Sequence, residues 1–300
     1  MIVAVFGDLH GHFALAYRLL RRWEIGQERR ADAILQVGDV NAFPDPARAD
    51  RLTLKFAEKD AAQLSFPAWQ TGSAEAAAFL TPDAPDETRI AAPLYFVKGN
   101  HDDYDYLAAL AASTETGAVA IDPWDRIRYL PSGRLATIEA DGTKLRVAAL
   151  GGIADPDGRA GEGPKPDHYT HEEVRAVAGL TGPVDVLLTH DAPWGTLVPE
   201  GGSHDITDLI RLHAPAFHFC GHYHETGTPL AVPAPTLSYE LDATKPDRAT
   251  GRVRAGCFGI LEWAGRANGS RFEFVDAPRL AELARLPEPP VARTEGSVDI

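Results

Sequence analysis

The stretch Lys98-Gly99-Asn100-His101-Asp102 most constrains what this chain can fold into. It follows an apolar run, Leu94-Tyr95-Phe96-Val97, bounded by Pro93 and Gly99, which reads as a buried strand. An amide, an imidazole and a carboxylate therefore emerge together from one strand end, with a glycine that lets the backbone turn. One such exit is also what a solvated turn looks like. Four further exits carry the same chemistry: Gly7-Asp8-Leu9-His10, Gly38-Asp39, Thr189-His190 and Gly221-His222-Tyr223-His224. The fold must bring several strand ends to a common edge.

The chain opens as strand, helix, strand. Residues 2–6 are apolar, Phe13 to Glu24 places Ala16, Leu19, Leu20 and Trp23 on one helical face, and Ala33 to Val37 is a second strand. That order implies a parallel pair with a right-handed crossover. Ligands in such sheets gather at the carboxyl ends of strands, so Asp8, His10 and Asp39 should converge. Residues 41–92 read as an insertion that packs as a lid or rim: a helix over Arg51 to Leu64, a loop over Phe66 to Gly72, and a short helix over Glu75 to Leu80. Helices follow over Tyr104 to Ala112, from the capping box Thr170/Glu173 to Ala178, and over Asp205 to His213. Strands are expected at 127–130, 135–138, 145–150, 184–188, 216–220, 236–239, 257–263 and 271–275, with an Asp141-Gly142 hairpin. Residues 1–284 read as one domain, and 285–300 as a Pro-rich tail on the surface.

Charge limits the partners. The chain has 43 acidic and 29 basic residues, a formal net charge of −14. Such a surface argues against broad nucleic-acid binding, which needs many cations on phosphate. Cys220 and Cys257 are the only cysteines and lie in apolar runs, so they read as buried free thiols in a reducing, cytoplasmic setting. The first residues read as a strand and not a signal peptide, and no run reaches membrane-spanning length, so no membrane partner is expected.

The residues at strand exits are Asp8, His10, Asp39, Asn100, His101, His190, His222 and His224. Carboxylate, amide oxygen and imidazole are the ligands that hard and borderline divalent metals take. The set exceeds what one tetrahedral site uses, so two metals sharing a carboxylate is the natural reading. Two metals roughly 3.5–4 Å apart clamp the attacking and leaving oxygens of a phosphoryl displacement.

In this order, Asp8-x-His10, Gly38-Asp39, Gly99-Asn100-His101-Asp102, His190 and Gly221-His222-x-His224 resemble the calcineurin-like metallophosphoesterase superfamily, over residues 2 to about 224. The resemblance implies that Asp8, His10 and His224 hold one metal, that Asn100, His190 and His222 hold the other, and that Asp39 bridges them. It implies a hydroxide bridging the metals as nucleophile. His101 would donate to the scissile phosphate or protonate the leaving oxygen, with Asp102 orienting it. The protein Ser/Thr phosphatases of that superfamily continue the second block with an Asp-Arg-Gly element that binds phosphate. Here Val40-Asn41-Ala42-Phe43-Pro44 follows, so protein phosphatase activity is not expected. The long insertion, the 133–152 region and Thr189-His190-Asp191 are similar in layout to RNA lariat debranching enzymes, which commonly carry Cys where this chain has Asp8.

Other histidines have plainer readings. His12 either caps a helix start or touches substrate. His168 and His171 read as surface residues, His204 as a loop residue, His213 as a helix C-terminal cation and His218 as a satisfied core histidine. Asp191 either supports a ligand histidine or is a turn residue. Trp69 and Tyr104 read as core or rim packing. The expected fold is an α/β four-layer αββα sandwich of two mixed sheets flanked by helices, with the dimetal site at strand C-termini. The expected activity is hydrolysis of a small phosphodiester, a nucleotide or another diester, using two divalent ions (Mn, Fe, Zn, Ni or Co, Mn favoured). A phosphomonoesterase is the alternative, and a metal-binding scaffold without turnover is the rival from another class.

Overall fold

Ile2 to Phe6 has no polar side chain, as a strand covered on both faces requires, and all five residues are buried. The computed structural model describes residues 1–161, 165–225, 227–247, 249–266 and 269–285. Its strands are β1 (Ile2–Phe6), β2 (Ala33–Gln36), β3 (Leu94–Phe96), β4 (Val119–Ala120), β5 (Ile127–Tyr129), β6 (Leu135–Ala140) and β7 (Thr143–Leu150). They continue with β8 (Val186–Thr189), β9 (Phe217–Cys220), β10 (Thr228–Leu230), β11 (Leu237–Glu240), β12 (Phe258–Glu262) and β13 (Arg271–Phe274). One sheet has the order β13-β12-β1-β2-β3-β5-β4, the other β10-β11-β9-β8-β7-β6. Both are mixed: β1, β2, β3 and β5 run parallel in the first, β7, β8, β9 and β11 in the second.

The two-residue period of β1 divides the core. Val3 and Val5 pack between the sheets with Val147, Val186, Leu188, Phe217 and Phe219. Ile2, Ala4 and Phe6 face the other way, into a layer that contains helix α1 (Phe13–Gln27). On the far side, Ala148, Leu150 and Leu187 meet helices that appear below as α6 and α7. The layering is the expected helix, sheet, sheet, helix.

The segment after β2 holds α2 (Arg51–Ala57), α3 (Phe66–Gln70) and α4 (Ala74–Leu80). Its second half is core of the outer layer. Trp69 is buried, with its ring centroid 5.3 Å from Phe13, 5.4 Å from Tyr17 and 6.0 Å from Phe79. Only its first half borders the strand exits. The helix expected over Arg51 to Leu64 stops at Ala57 and resumes as a 3-10 turn over Ala61–Leu64. The break lets Asp60 reach His12, 3.0 Å away. The loop expected at Phe66 to Gly72 is α3, which starts on a buried Phe with Pro67 in its first turn.

Beyond β3 come α5 (Tyr104–Ala112), α6 (His171–Ala178, with the reciprocal capping box of Thr170 and Glu173), α7 (His204–His213) and α8 (Ala277–Arg285). Strands β4 and β10 and helix α8 have no counterpart in the sequence reading. The two strands are edge pieces of two and three residues, one containing Pro229, and so lack a legible period. Residues 286–300 of the expected tail lie outside the described residues. No described helix is long and apolar enough to cross a membrane. Both cysteines are buried and free.

His218 is the core histidine expected. Its Nδ1 lies 2.7 Å from Ser238 Oγ and its Nε2 2.9 Å from Thr189 Oγ1, whose hydroxyl donates to the Asp191 carbonyl. Because that hydroxyl is used as a donor, it accepts from His218, which fixes the ring as an Nε2–H tautomer. The chain of bonds ties β11, β9 and β8 to the turn that carries His190.

Candidate metal centre

Asp8 and His10 follow β1, Asp39 follows β2, Asn100 follows β3, His190 follows β8, and His222 and His224 follow β9. The first three strands belong to one sheet and the last two to the other, so the residues meet across the open end of the sandwich. Reaching this point strains the backbone. His10, Asp39, Asn41, His222 and His224 all have positive φ, from 43° to 71°. Such conformations cost of order 1 kcal/mol or more for non-glycine residues and cluster where function demands them.

The side chains form two groups. In one, His224 Nε2 lies 2.7 Å from Asp8 Oδ2 and 3.4 Å from His10 Nε2. In the other, Asn100 Oδ1 lies 2.9 Å from His190 Nε2 and 2.8 Å from His222 Nδ1. Asp39 stands between them: its Oδ1 is 3.6 Å from His190 Nε2, and Asp8, Asp39 and His190 offer ligand atoms within 4.8 Å of one another, as do Asp8, His10 and His224. The seven candidate ligands thus lie close together, with Asp8 common to both carboxylate–histidine groups and Asp39 grouped with Asp8 and His190.

The outward ring nitrogens are committed elsewhere. His190 Nδ1 donates to the Val37 carbonyl at 2.8 Å. His10 Nδ1 lies 3.3 Å from Asn41 Oδ1, and the Asn41 amide nitrogen donates to Gln63, which fixes which end of the amide faces the histidine. Both rings therefore turn an Nε2 lone pair toward the centre. Protonation follows the same logic. Burial alone would push the Asp8 carboxyl up, but His190, His224 and His10 outweigh it and hold Asp8 well below the usual carboxylate range. Asp39 is likewise held low against its burial by His190, His101 and His10. Burial depresses His10 to about 3, and burial with the neighbouring His190 depresses His222. Burial would lower His190, but Asp39 and Asp8 raise it, so this imidazole gives up its proton when a cation binds. Anionic carboxylates and neutral imidazoles are what divalent cations bind. The approach of His10 Nε2 to His224 Nε2 sets two ring nitrogens against each other with a carboxylate beside them. This donor set fits two hard or borderline divalent metals.

His101 lies beside this set, its ring centroid 5.9 Å from that of His10. Its Nδ1 is 3.0 Å from Asp50 Oδ2. Burial would lower this imidazole, but the Asp50 bond and the charges of Asp39, Asp50 and Asp102 raise it to about 9. The expectation that Asp102 orients His101 is corrected here. Asp102 Oδ1 accepts from Ala42 N–H at 2.8 Å and Oδ2 from Gly99 N–H at 2.7 Å, so both its oxygens are spent on the backbone of two strand-exit loops. Asp50 is also the N-cap of α2, accepting from Leu52 and Thr53 through Oδ1. Asp102→Asn would face an amide NH2 toward one of those N–H groups. The expected cost is about 1–3 kcal/mol, from an unpaired buried donor, or a fall in Tm of roughly 2–5 °C for a chain of this size. Differential scanning calorimetry reads it.

The other residues weighed from sequence are also placed. His12 is the N-cap residue of α1 but makes no side-chain cap bond; its Nε2 pairs with Asp60. Asp191 supports the His190 turn: it accepts from Ala154 N–H at 2.9 Å and from the Tyr223 hydroxyl at 3.1 Å. His168 is half-buried, not a surface residue, and His204 opens α7, its ring stacked on Trp194 at 4.1 Å. Sequence reasoning missed Asp50, Asn41 and Gln63. Only Asn41, two residues beyond Asp39, carried a positional signal.

Comparison with solved structures shows the same fold at low identity. The protein TT1561 of Thermus thermophilus is similar at 16% identity and a TM-score of 0.50, over 92% of this chain and 98% of that one. GAP50, described as the anchor in the inner membrane complex of Plasmodium, is similar at 12% identity and a TM-score of 0.52, over 92% of this chain and 84% of that one. No curated protein sequence matches the chain. The calcineurin-like phosphoesterase family model matches residues 1–226, the span that contains every strand exit described above. The chain belongs to the calcineurin-like phosphoesterase family, whose members hydrolyse phosphoesters at metal centres.

Proposed function

We propose that the protein hydrolyses a phosphodiester, a nucleotide or another small diester, with two divalent metal ions, manganese favoured. The observation that supports this most is the meeting of two carboxylate–histidine groups, with Asp8 in both and Asp39 beside His190, and an Asp50-supported histidine alongside them. Asp8, His10 and His224 would hold one ion, Asn100, His190 and His222 the other, and Asp39 both. When bound, such a pair supplies Lewis acidity toward phosphoryl oxygens and a lowered pKa for water. The protein's own contribution beyond ligation falls to His101. Asp50 accepts a hydrogen bond from its Nδ1–H, so Nε2 is the nitrogen that faces substrate, donating to a phosphate oxygen or delivering a proton to the leaving oxygen.

The preference for a diester rests on residues 40–43. They carry no arginine and are buried at 0–2% exposure, with Asn41 turned to His10. A diester monoanion asks for less positive charge at the phosphate than a monoester dianion. On Mn-loaded protein, kcat/KM is expected to be higher for bis(p-nitrophenyl) phosphate than for p-nitrophenyl phosphate. A monoester preference would transfer the assignment to phosphomonoesterase. Full metal occupancy without turnover of either would support a scaffold.

Asp50→Asn isolates the proton-handling role. Asparagine keeps the helix cap through Oδ1 but sets NH2 where Oδ2 met His101. On a diester with an alkyl leaving group, kcat is expected to fall roughly 100-fold, the lower end for general acid catalysis. On the p-nitrophenyl ester, whose phenolate leaves without a proton, the fall should be much smaller. Equal losses on both would contradict the role.

A further inference from the structure

The two halves of the site's rim differ in which charges are left without an ion pair. On the His222 side, Asp155, Asp191, Trp194, Glu200 and Tyr223 line a cavity of about 280 Å³. On the His101 side runs α2 with the turn after it. Both ends of this segment are pinned through carboxylates: Asp50 meets His101 at 3.0 Å, and Asp60 meets His12, two residues beyond His10, at 3.0 Å. Arg51, Lys55 and Lys59 lie between these anchors, four residues apart, and all three are exposed, as is one carboxylate among them, Glu58. Among the described residues most arginines are tied to a carboxylate, as Arg48 is to Asp103 and Arg159 to Asp205, whereas none of these three cations enters an ion pair.

Four residues of helix rise about 6 Å. Arg51 and Lys55 therefore stand about 6 Å apart along α2, with Lys59 in the turn beyond it, on a chain whose formal net charge is −14. Leu52 and Leu54, 44% and 41% exposed, flank these cations with apolar surface. Lys245 adds positive potential at the His12 end, where it acts on both His10 and His12. A monoanion such as a simple diester would use none of this beyond the scissile phosphate. On the opposite wall Asp155 is already paired with Lys165, which leaves Asp191 and Glu200 as the carboxylates an extended anion would meet there.

We infer that the substrate is a short oligonucleotide whose phosphates beyond the scissile one lie along Arg51, Lys55 and Lys59. This inference rests on the phosphodiesterase reading and names its substrate class. The acidic bulk of the protein confines the contact to a few nucleotides. Each phosphate contact on a single strand contributes about 0.7 to the slope of log affinity against log salt. Three contacts give a slope near −2, or a roughly 20-fold loss of affinity between 50 and 200 mM salt.

The test is fluorescence anisotropy with 5′-fluorescein oligothymidylates of two and six nucleotides, on Mn-loaded His101→Ala protein so that binding is read without cleavage. The hexamer is expected to bind at least tenfold more tightly than the dimer, with the salt slope above. Adding Arg51→Gln, Lys55→Gln and Lys59→Gln should remove both effects while metal content and melting temperature stay unchanged. Length-independent binding, or a slope that survives the triple change, would overturn the inference even if bis(p-nitrophenyl) phosphate is hydrolysed. Salt-sensitive hexamer binding by a chain that hydrolyses neither chromogenic ester would support the phosphate contacts and remove the catalytic reading. Binding to phosphatidylserine vesicles with no hexamer binding would overturn it in favour of a membrane surface.

Discussion

Asp39→Asn is expected to lower kcat on bis(p-nitrophenyl) phosphate by about a thousandfold or more, from the loss of several kcal/mol of metal-borne charge stabilisation. The substitution is close to isosteric, and the reason for a large effect is electrostatic. Asp39 is almost fully buried and offers a ligand atom close to those of Asp8 and His190, 3.6 Å from the latter. Its Oδ1 also accepts the His101 N–H at 2.7 Å. Asparagine can keep that bond, so the 99–102 loop should stay in place while the charge shared by the two groups disappears. Metal analysis of the variant should show lost occupancy together with lost turnover. Retention of full occupancy and wild-type rate would mean that Asp39 only organises the loop.

Gly99→Ala is expected to be nearly as damaging by a different route. A Cβ at position 99 would sit 2.0 Å from Asp39 Oδ1 and 2.2 Å from the Asp39 backbone nitrogen. Neither group can yield cheaply, since Asp39 already has a strained φ of 55° and its carboxylate is held by the His101 N–H. Overpacking of this kind costs about 1–3 kcal/mol of stability. Here the displaced atom is also a candidate ligand, so activity should fall at least about 100-fold, because small misplacements at a catalytic centre carry that penalty. Gly221 is in the same position toward Asp8 Oδ1, 2.2 Å from a Cβ placed there. Gly221→Ala should reproduce the loss through the other ligand group. Thermal melts and initial rates on both variants check this. An alanine variant with normal rates would show that the close approach is not required.

The strand exits were legible because each is a local statement. An apolar run, a glycine and a polar cluster can be read within about ten residues, and the crossover rule then sends the ends to one edge. Helix α5 was expected over Tyr104 to Ala112 and is found there, since its cap Asp103 and its apolar spacing are both local. The support of the histidines was not legible. His101 meets Asp50 across 51 positions, and His190 meets the Val37 carbonyl across 153. Such pairs depend on how the segment after β2 folds, and its break at Ala57 followed from tertiary contacts of Asp60. Asp102 drew attention because it neighbours His101 in sequence. Its side chain instead turns back to the Gly99 and Ala42 amides, as acidic residues at turns do. Trp69 could be weighed only as core or rim, and the aromatic layer around it places it in the core.

The account stands most directly on the metal stoichiometry that supports catalysis. Chelated protein titrated with Mn²⁺ would be followed by bound metal per chain and by the rate on bis(p-nitrophenyl) phosphate. The expected result is no turnover without metal and a rate that reaches its maximum as the second equivalent binds. Full turnover in the chelated protein, or saturation at one equivalent with the second site never filled, would contradict the two-group centre at Asp39.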